Sequence, residues 1–296
     1  MTPHSPHPPL DRAAPVGLVA GRGALPRQLA EAAVRAGREV TVASFAPLDW
    51  QEDAPPGIKF LRARFERLGA LFGALRDRGV ADLFLAGALE RPALDPTAFD
   101  AAFQRHAPRL LAAMRGGDDG LLRAVVAMIE TEGFRVRGPW ELAPALLPAS
   151  GVLTKAVPGA ADKTDAARAA FIQATVGAAD IGQACVVAGG LCLGVETIEG
   201  TDALLERLRS DPVLRARRPE APRGLLYKAP KPGQELRVDM PVIGPETVKR
   251  AARAGLGGIV IAAGGVLLLE AEATVAAADD AGLFLWVRAG SAGEGP

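Results

Sequence analysis

The sequence is poor in the residues that hold soft metals. Only two cysteines, Cys185 and Cys192, and three histidines, His4, His7 and His106, occur in 296 residues, and no histidine lies near the cysteines. A zinc centre takes thiolate and imidazole donors that converge, so this pattern argues against one. Both cysteines lie in an apolar run that reads as strand, where a thiol is a small buried side chain in a reducing compartment. An excess of either charge is also missing, with 34 Lys and Arg against 34 Asp and Glu. Without a net positive field there is no long-range attraction for nucleic acid or an anionic bilayer. Any anionic ligand must therefore be held by local geometry. No run approaches the ~18 uninterrupted apolar residues of a membrane-spanning helix, and the Pro-rich start MTPHSPHPPLDRAAP lacks the apolar core of a signal peptide. The expected location is the cytoplasm.

What is present reads as two α/β domains, which the chain length allows. Residues 1–14 and 290–296 carry Pro, Gly and small residues without periodicity and are expected to be disordered tails. Residues 16–20 are a short apolar run, Gly21-Arg22-Gly23 is a tight turn, and Leu25, Leu29, Ala33 and Ala36 recur at helical spacing up to Gly37. Residues 40–45 alternate as a strand, completing a β-α-β unit of the kind that builds parallel sheets. A helix through Leu68, Leu71, Phe72 and Leu75, a strand at 81–86 and a helix at 121–131 opened by Asp118-Asp119-Gly120 continue the pattern. Residues 15–145 therefore read as a Rossmann-like domain. The Pro-punctuated stretch 142–151 marks the boundary, and 146–289 read as a mixed-sheet α/β domain. In it, apolar runs flank Gly189-Gly190 and again Gly264-Gly265, both hairpin signals. Between these come a helix after Thr201-Asp202, a strand at 225–228, and a helix from Pro245 to Ala254 stopped by Gly255.

Four stretches carry candidate chemistry. Gly21 and Gly23 flank Arg22 at a strand-to-helix turn, where backbone amides free of Cβ bulk can approach a phosphate. A nicotinamide or flavin fingerprint would need a glycine where Pro26 stands and an acid where Ser44 and Phe45 stand. Phosphate contact and a merely structural turn both remain. Asp118 and Asp119 are adjacent carboxylates suited to a divalent cation, although an Asp ahead of a helix is also an N-cap. Glu199-Gly200-Thr201 lies where a strand ends and a helix begins; its amides could face a phosphate, or Thr201 or Asp202 could simply cap the helix while Glu196 is a solvated strand end. In Lys228 to Pro245, prolines stiffen a loop of both charge signs that holds Lys231, Gln234, Arg237 and Asp239. Cations there would neutralise a pyrophosphate while the carboxylate holds Mg²⁺ or directs water, or the stretch is an ordinary charged surface loop.

The segments GLVAGRGALPRQLAEAA, DDGLLRAV, GVETIEGTDALL, YKAPKPGQELRVDMPVIGPETV and AADDAGLFL, in that order from residue 16 to 285, resemble those of the LpxI-type UDP-2,3-diacylglucosamine pyrophosphatases. The resemblance implies an N-terminal Rossmann-like domain and a C-terminal domain of unusual topology with the substrate between them. It implies metal-dependent hydrolysis to 2,3-diacylglucosamine 1-phosphate and UMP in lipid A synthesis. The family's essential aspartate, in KPGQxxRxDxP, falls on Asp239, whereas Glu235 stands where many members have a shorter acid. On this reading Mg²⁺ or Mn²⁺ is held by Asp239 with Asp118 and Asp119, and no nicotinamide or flavin takes part. The second domain is expected to supply an apolar groove for the acyl chains. The expected partners are the acylated nucleotide sugar, a second copy of the chain and a peripheral membrane contact, but no nucleic acid. A Rossmann-type oxidoreductase and a non-catalytic carrier of acylated nucleotide sugars are the rival readings.

Overall fold

A computed structural model describes residues 3–11, 13–89, 93–114, 118–217 and 223–290, and the side chains of Asp118, Arg215 and Arg217 lie outside that description. The chain packs as two compact units. The N-terminal unit contains His4–Ala145 together with Glu235–Asp239, and the C-terminal unit contains Leu146–Gln234 and Met240–Pro296.

In the N-terminal unit, β1 (Val16–Ala20) leads to α1 (Ala24–Arg35), β2 (Val40–Ser44), β3 (Ile58–Arg62), α2 (Leu68–Arg76) and β4 (Asp82–Ala86). There follow α3 (Ala101–Ala113), α4 (Asp118–Thr131), β5 (Arg135–Arg137) and the short α5 (Pro139–Leu142). The strands form a parallel sheet in the order β3-β2-β1-β4-β5. All five residues of β1 and of β2 are buried, as expected for central strands covered by helices on both faces. Leu68, Leu71, Phe72 and Leu75 of α2, Phe103, Ala107 and Leu110 of α3 and Ala124, Met128 and Ile129 of α4 share one core with Leu83 and Val136 of the sheet. The strand order reverses between β1 and β4, and it is outside the carboxyl ends of such a pair that open α/β sheets bind ligands.

Residues 4–11 and 13–14, part of the tail that composition reads as disordered, are tied to this unit by their backbone. Arg137 Nη1 donates to Pro8 O at 2.7 Å, and Arg38 Nη1 donates to Asp11 O and, at 3.1 Å, to Ala14 O. Arg137 is fully buried and is itself held by Asp82 at 2.6 Å and Glu141 at 2.9 Å. The residues 291–296 of the expected C-terminal tail lie outside the described residues.

The C-terminal unit starts with β6 (Gly151–Val152), α6 (Ala160–Ala178), β7 (Ala184–Ala188), β8 (Leu191–Val195), α7 (Gly200–Ser210) and α8 (Pro212–Arg217). It continues with β9 (Leu225–Lys228), β10 (Val242–Ile243), α9 (Pro245–Arg253), β11 (Gly258–Ala262), β12 (Leu267–Leu268), α10 (Ala271–Asp280) and β13 (Phe284–Arg288). A mixed six-stranded sheet runs β6-β13-β11-β9-β7-β8. Gly189-Gly190 does turn an antiparallel hairpin, β7 to β8, with Asp165 accepting from both glycine amides. The second expected hairpin, around Gly264-Gly265, does not form. β11 is already paired in parallel with β9 on one side and β13 on the other, so no edge is left for Leu267, which joins β10 instead. Cys185 is buried and Cys192 exposed, and both are free thiols; burial pushes the Cys185 thiol up to about 12.

Glu132, just past α4, gathers an imidazole and two guanidinium groups: His106 Nε2 at 2.9 Å, Arg105 Nη2 at 2.8 Å and Arg76 Nη2 at 3.1 Å. Hydrogen bonds from His106, Arg105 and Arg76 lower its carboxyl to about 2. A depressed carboxyl stabilises the fold above the unfolded value near 4.5 and loses that contribution as pH falls toward 2. Glu132→Gln is expected to lower Tm at pH 7 by on the order of 3 °C. In thermal melts from pH 7 to 2.5 the gap to wild type should shrink below about pH 4.5.

Candidate active site

The turns after β1 and β4 meet backbone to backbone. Gly21 N donates to Ala86 O at 2.8 Å, Arg22 N to Ala88 O at 2.9 Å and Ala88 N to Arg22 O at 3.0 Å. A Cβ on Gly21 would lie 2.4 Å from Ala88 O, and one on Gly87 would lie 2.5 Å from Arg22 O. The requirement for glycine at 21 is therefore met by packing between the two turns. Gly23 differs. It is the N-cap of α1 at φ 104° with no side-chain cap, and no atom lies within 4 Å of its Cβ position. The turn at Gly23 is thus open beside exposed Arg22, and of the first three residues of α1 only Ala24 and Leu25 carry an N–H, since Pro26 has none.

Helix α4 joins two kinds of surface. Its first turn carries Asp119, whose Oδ1 accepts from Glu235 N at 3.2 Å while Oδ2 accepts from Arg123 Nε at 2.7 Å. Near its other end, Glu130 Oε1 accepts from Arg237 Nη1 at 2.7 Å. Arg237 also grips both oxygens of Glu235, through Nε at 2.9 Å and Nη2 at 2.7 Å, and Asp239 N donates to Glu235 O at 3.1 Å. The adjacent Arg237 guanidinium holds the Glu235 carboxyl below the usual carboxylate range, and Glu235 in turn keeps Arg237 charged. This gives Glu235 a role that its sequence left open. Val238 packs into the core shared by α2, α3 and α4. Asp119, Arg237 and Asp239 are thus gathered on one unit, whereas the Asp118 side chain lies outside the described residues.

The same helix lines an apolar cavity of about 240 Å³. Leu121, Leu122 and Val125 of α4 face Phe45, Phe65 and Phe72, and every lining side chain is aliphatic, aromatic or methionine. Leu89 and Leu111, about half exposed, also line it. Phe45 and Phe65 stack with centroids 3.8 Å apart. An apolar groove was expected from the second domain; the structure forms this one in the first, from helices whose facing sides carry large apolar residues.

The C-terminal unit holds the remaining candidates in two groups. Lys228 Nζ donates to Thr201 Oγ1 at 2.7 Å, and Thr201 Oγ1 donates to Glu196 Oε2, with all three residues buried. Glu196 is therefore not a solvated strand end. Thr201 does not cap α7 either, since Glu199 occupies that place without a side-chain bond. Neither Glu196 nor Lys228 stands out in sequence as a buried group, because the contact depends on β8, α7 and β9 meeting. In the second group, Lys231 Nζ pairs with Asp180 and Gln234 Oε1 accepts from Lys231 N at 2.8 Å. Gly200, at φ 86°, has open space at its Cβ position. Among the described residues no three His, Cys, Asp or Glu side chains form a group that could hold a metal ion, and no helix is long and apolar enough to cross a membrane.

The parallel sheet with its crossover helices and the mixed second sheet define a two-unit α/β protein whose first half is Rossmann-like. Residues 15–146 match the LpxI N-terminal domain and residues 149–286 the LpxI C-terminal domain, so the chain belongs to the LpxI family. It is 44% identical over 273 residues, 91% of this chain and 96% of the relative, to the UDP-2,3-diacylglucosamine pyrophosphatase LpxI of Caulobacter vibrioides. Similar solved structures are more distant. The Bordetella bronchiseptica enzyme WbmG in complex with NAD and UDP is 18% identical, at a TM-score of 0.26 over 42% of this chain and 35% of its own. The precorrin-6A reductase CobK is 14% identical, at a TM-score of 0.31 over 95% and 90%.

The glycine geometry separates two neighbouring substitutions. Gly21→Ala drives a Cβ into backbone and should cost about 2–4 kcal/mol of stability. Gly23→Ala meets open space and should cost only on the order of 1 kcal/mol for its positive φ. Denaturant midpoints of the two variants, measured side by side, check the order.

Proposed function

We propose that this chain hydrolyses the pyrophosphate bond of UDP-2,3-diacylglucosamine to UMP and 2,3-diacylglucosamine 1-phosphate, as a cytoplasmic step of lipid A biosynthesis dependent on Mg²⁺ or Mn²⁺. Membership of the LpxI family and the named activity of the Caulobacter relative support this reading. The observation that carries it is the sharing of α4 between an apolar cavity and a charged loop. A diacylated nucleotide sugar needs both. Ten methylenes seated among Leu122, Val125 and Phe72 would contribute on the order of 8 kcal/mol, while the polar end of the molecule meets charge.

The chain's own groups divide the work. Asp239 is the carboxylate assigned to the reacting phosphates. Arg237 is already matched by Glu235 and Glu130, so its main effect is to fix the loop rather than to offer a free cation. The α1 amides beyond Gly23 suit a phosphate oxygen, with Arg22 beside them. Considered by itself, the C-terminal unit offers Glu199 and Gly200 at the start of α7, and Lys231 with Gln234, as the groups proposed to bind substrate. Water adds across the anhydride, leaving a hydroxyl on one phosphorus and a proton on the departing phosphate.

The donors near the loop fit a hard cation. Asp239 and Asp119, with Asp118, would offer carboxylate oxygens to such an ion; Mg²⁺ can be held by one or two carboxylates with its other ligands drawn from phosphate and water. When bound, such a cation supplies charge to the phosphate oxygens and acidifies water. Exposed Leu89 and Leu111 give the amphiphile a route to the cavity and are the expected place of peripheral membrane contact; a homodimer is the expected assembly.

Three measurements test the reading. Purified protein with UDP-2,3-diacylglucosamine should release UMP, and exhaustive chelation should abolish release until Mg²⁺ or Mn²⁺ is restored. Asp239→Ala and Asp239→Asn should fold and still bind substrate, yet lose on the order of 10²-fold or more in kcat; near wild-type turnover in either would remove Asp239 from the mechanism. Leu122→Trp, which fills the cavity, should raise KM for the diacylated substrate about tenfold with little change in Tm.

A further inference from the structure

We infer that residues 4–11, which precede the family match beginning at residue 15, brace the Asp239 loop through His7 and Glu130. Glu130 and His7 are then positioning residues for the proposed hydrolysis, acting through Arg237. The inference deepens the functional reading above and rests on it for its kinetic part.

Three backbone carbonyls fix the register of the segment. Pro8 O accepts from buried Arg137, and Asp11 O and Ala14 O both accept from Arg38. Because the anchors are carbonyls, they hold the path of the chain whatever its side chains. One residue before the first anchor, His7 Nε2 comes to 3.2 Å from Glu130 Oε1. A carboxylate only accepts, so Nε2 carries the proton in this contact. Glu130 Oε1 is also the oxygen that Arg237 Nη1 reaches at 2.7 Å. The line His7, Glu130, Arg237, Glu235 thus ends on the residue whose carbonyl accepts from Asp239 N.

The geometry makes Glu130 the hinge of this line. Arg237 is bound on one side by Glu235, its own loop neighbour, and that bond can travel with the loop. Among the described residues, the bond to Glu130 is what ties the guanidinium to a helix of the core. Glu130 itself is about a third exposed, with His7 packed at 19% exposure against it. An imidazole placed there removes rotamers in which the carboxylate would turn toward water, and so limits the motion of Arg237 and of the loop behind it.

The test uses the full chain. Glu130→Gln should lower kcat about tenfold and His7→Ala about threefold, each with KM changed less than about twofold and Tm within about 2 °C of wild type. In an Arg237→Ala background, Glu130→Gln should have no further effect on kcat, because it acts through the missing guanidinium. His4→Ala, on the same segment but exposed, should leave kcat unchanged. Hydrogen exchange at the Asp239 amide should speed several-fold in both Glu130→Gln and His7→Ala. Unchanged exchange in those variants, or equal loss of kcat with and without Arg237, overturns the brace. If wild-type protein releases no UMP, the functional reading fails, and the exchange measurement alone still decides whether the segment holds the loop.

Discussion

Charge pairing along α4 keeps Glu235–Asp239 with the N-terminal unit, although the residues on either side of those five belong to the C-terminal unit. A five-residue excursion has little apolar area to spend on staying there. Val238, half-buried, packs against the core and contributes less than the about 1.5–3 kcal/mol of a fully buried valine. The rest of the hold is electrostatic: Asp119 on the Glu235 amide, Glu130 on Arg237, and Arg237 folded back on Glu235. Arg237 and Glu235 are both mostly shielded from solvent, at 14% and 17% side-chain exposure, so these pairs are screened far less than surface ones. If Asp239 acts on phosphate, its placement depends on this set of pairs.

The same helix explains why the cavity and the charged loop coexist. Asp119, Arg123 and Glu130 are spaced to leave Leu121, Leu122, Val125, Met128 and Ile129 for the opposite side, an amphipathic division by helical period. In most such helices the apolar side is filled by its neighbours. Here α2 and α3 approach α4 yet leave about 240 Å³ open among leucines and phenylalanines. A space lined only by apolar groups offers water no partners, so an alkyl chain is the occupant its chemistry suits.

Much of the fold was legible because its central elements carry strong periodicity. β1, α1, β2, β4 and the β7–β8 hairpin follow from apolar spacing and from glycine at turns. β3 was missed because Ile58–Arg62 is a five-residue edge strand whose apolar/charged alternation breaks at Phe60-Leu61, which leaves no clear period. α3 was missed because Pro108 interrupts it and Asp100, its true N-cap, stands in an uninformative loop. The Gly264-Gly265 error has a different source. A glycine pair between apolar runs reports a reversal of the chain but not its partner, and β11 had two parallel neighbours from distant sequence.

The candidate site was legible residue by residue but not in its connections. Spacing drew attention to Asp119, Arg237 and Asp239, yet nothing in sequence links position 130 to 237, or 7 to 130, since each pair is over 100 residues apart. The Lys228–Thr201–Glu196 chain has the same character: residues of β9 and α7 and the residue just past β8, buried together where those elements meet. Burial of a lysine and a glutamate is tolerated when a hydroxyl bridges them, since each charge then keeps a hydrogen-bonded partner. That makes Thr201 a structural necessity for the start of α7 before any ligand arrives. It also separates Thr201 from Gly200: the hydroxyl points into the unit, whereas the backbone at Gly200 has open space beside it. A phosphate approaching α7 would therefore be met by amides and not by the threonine side chain.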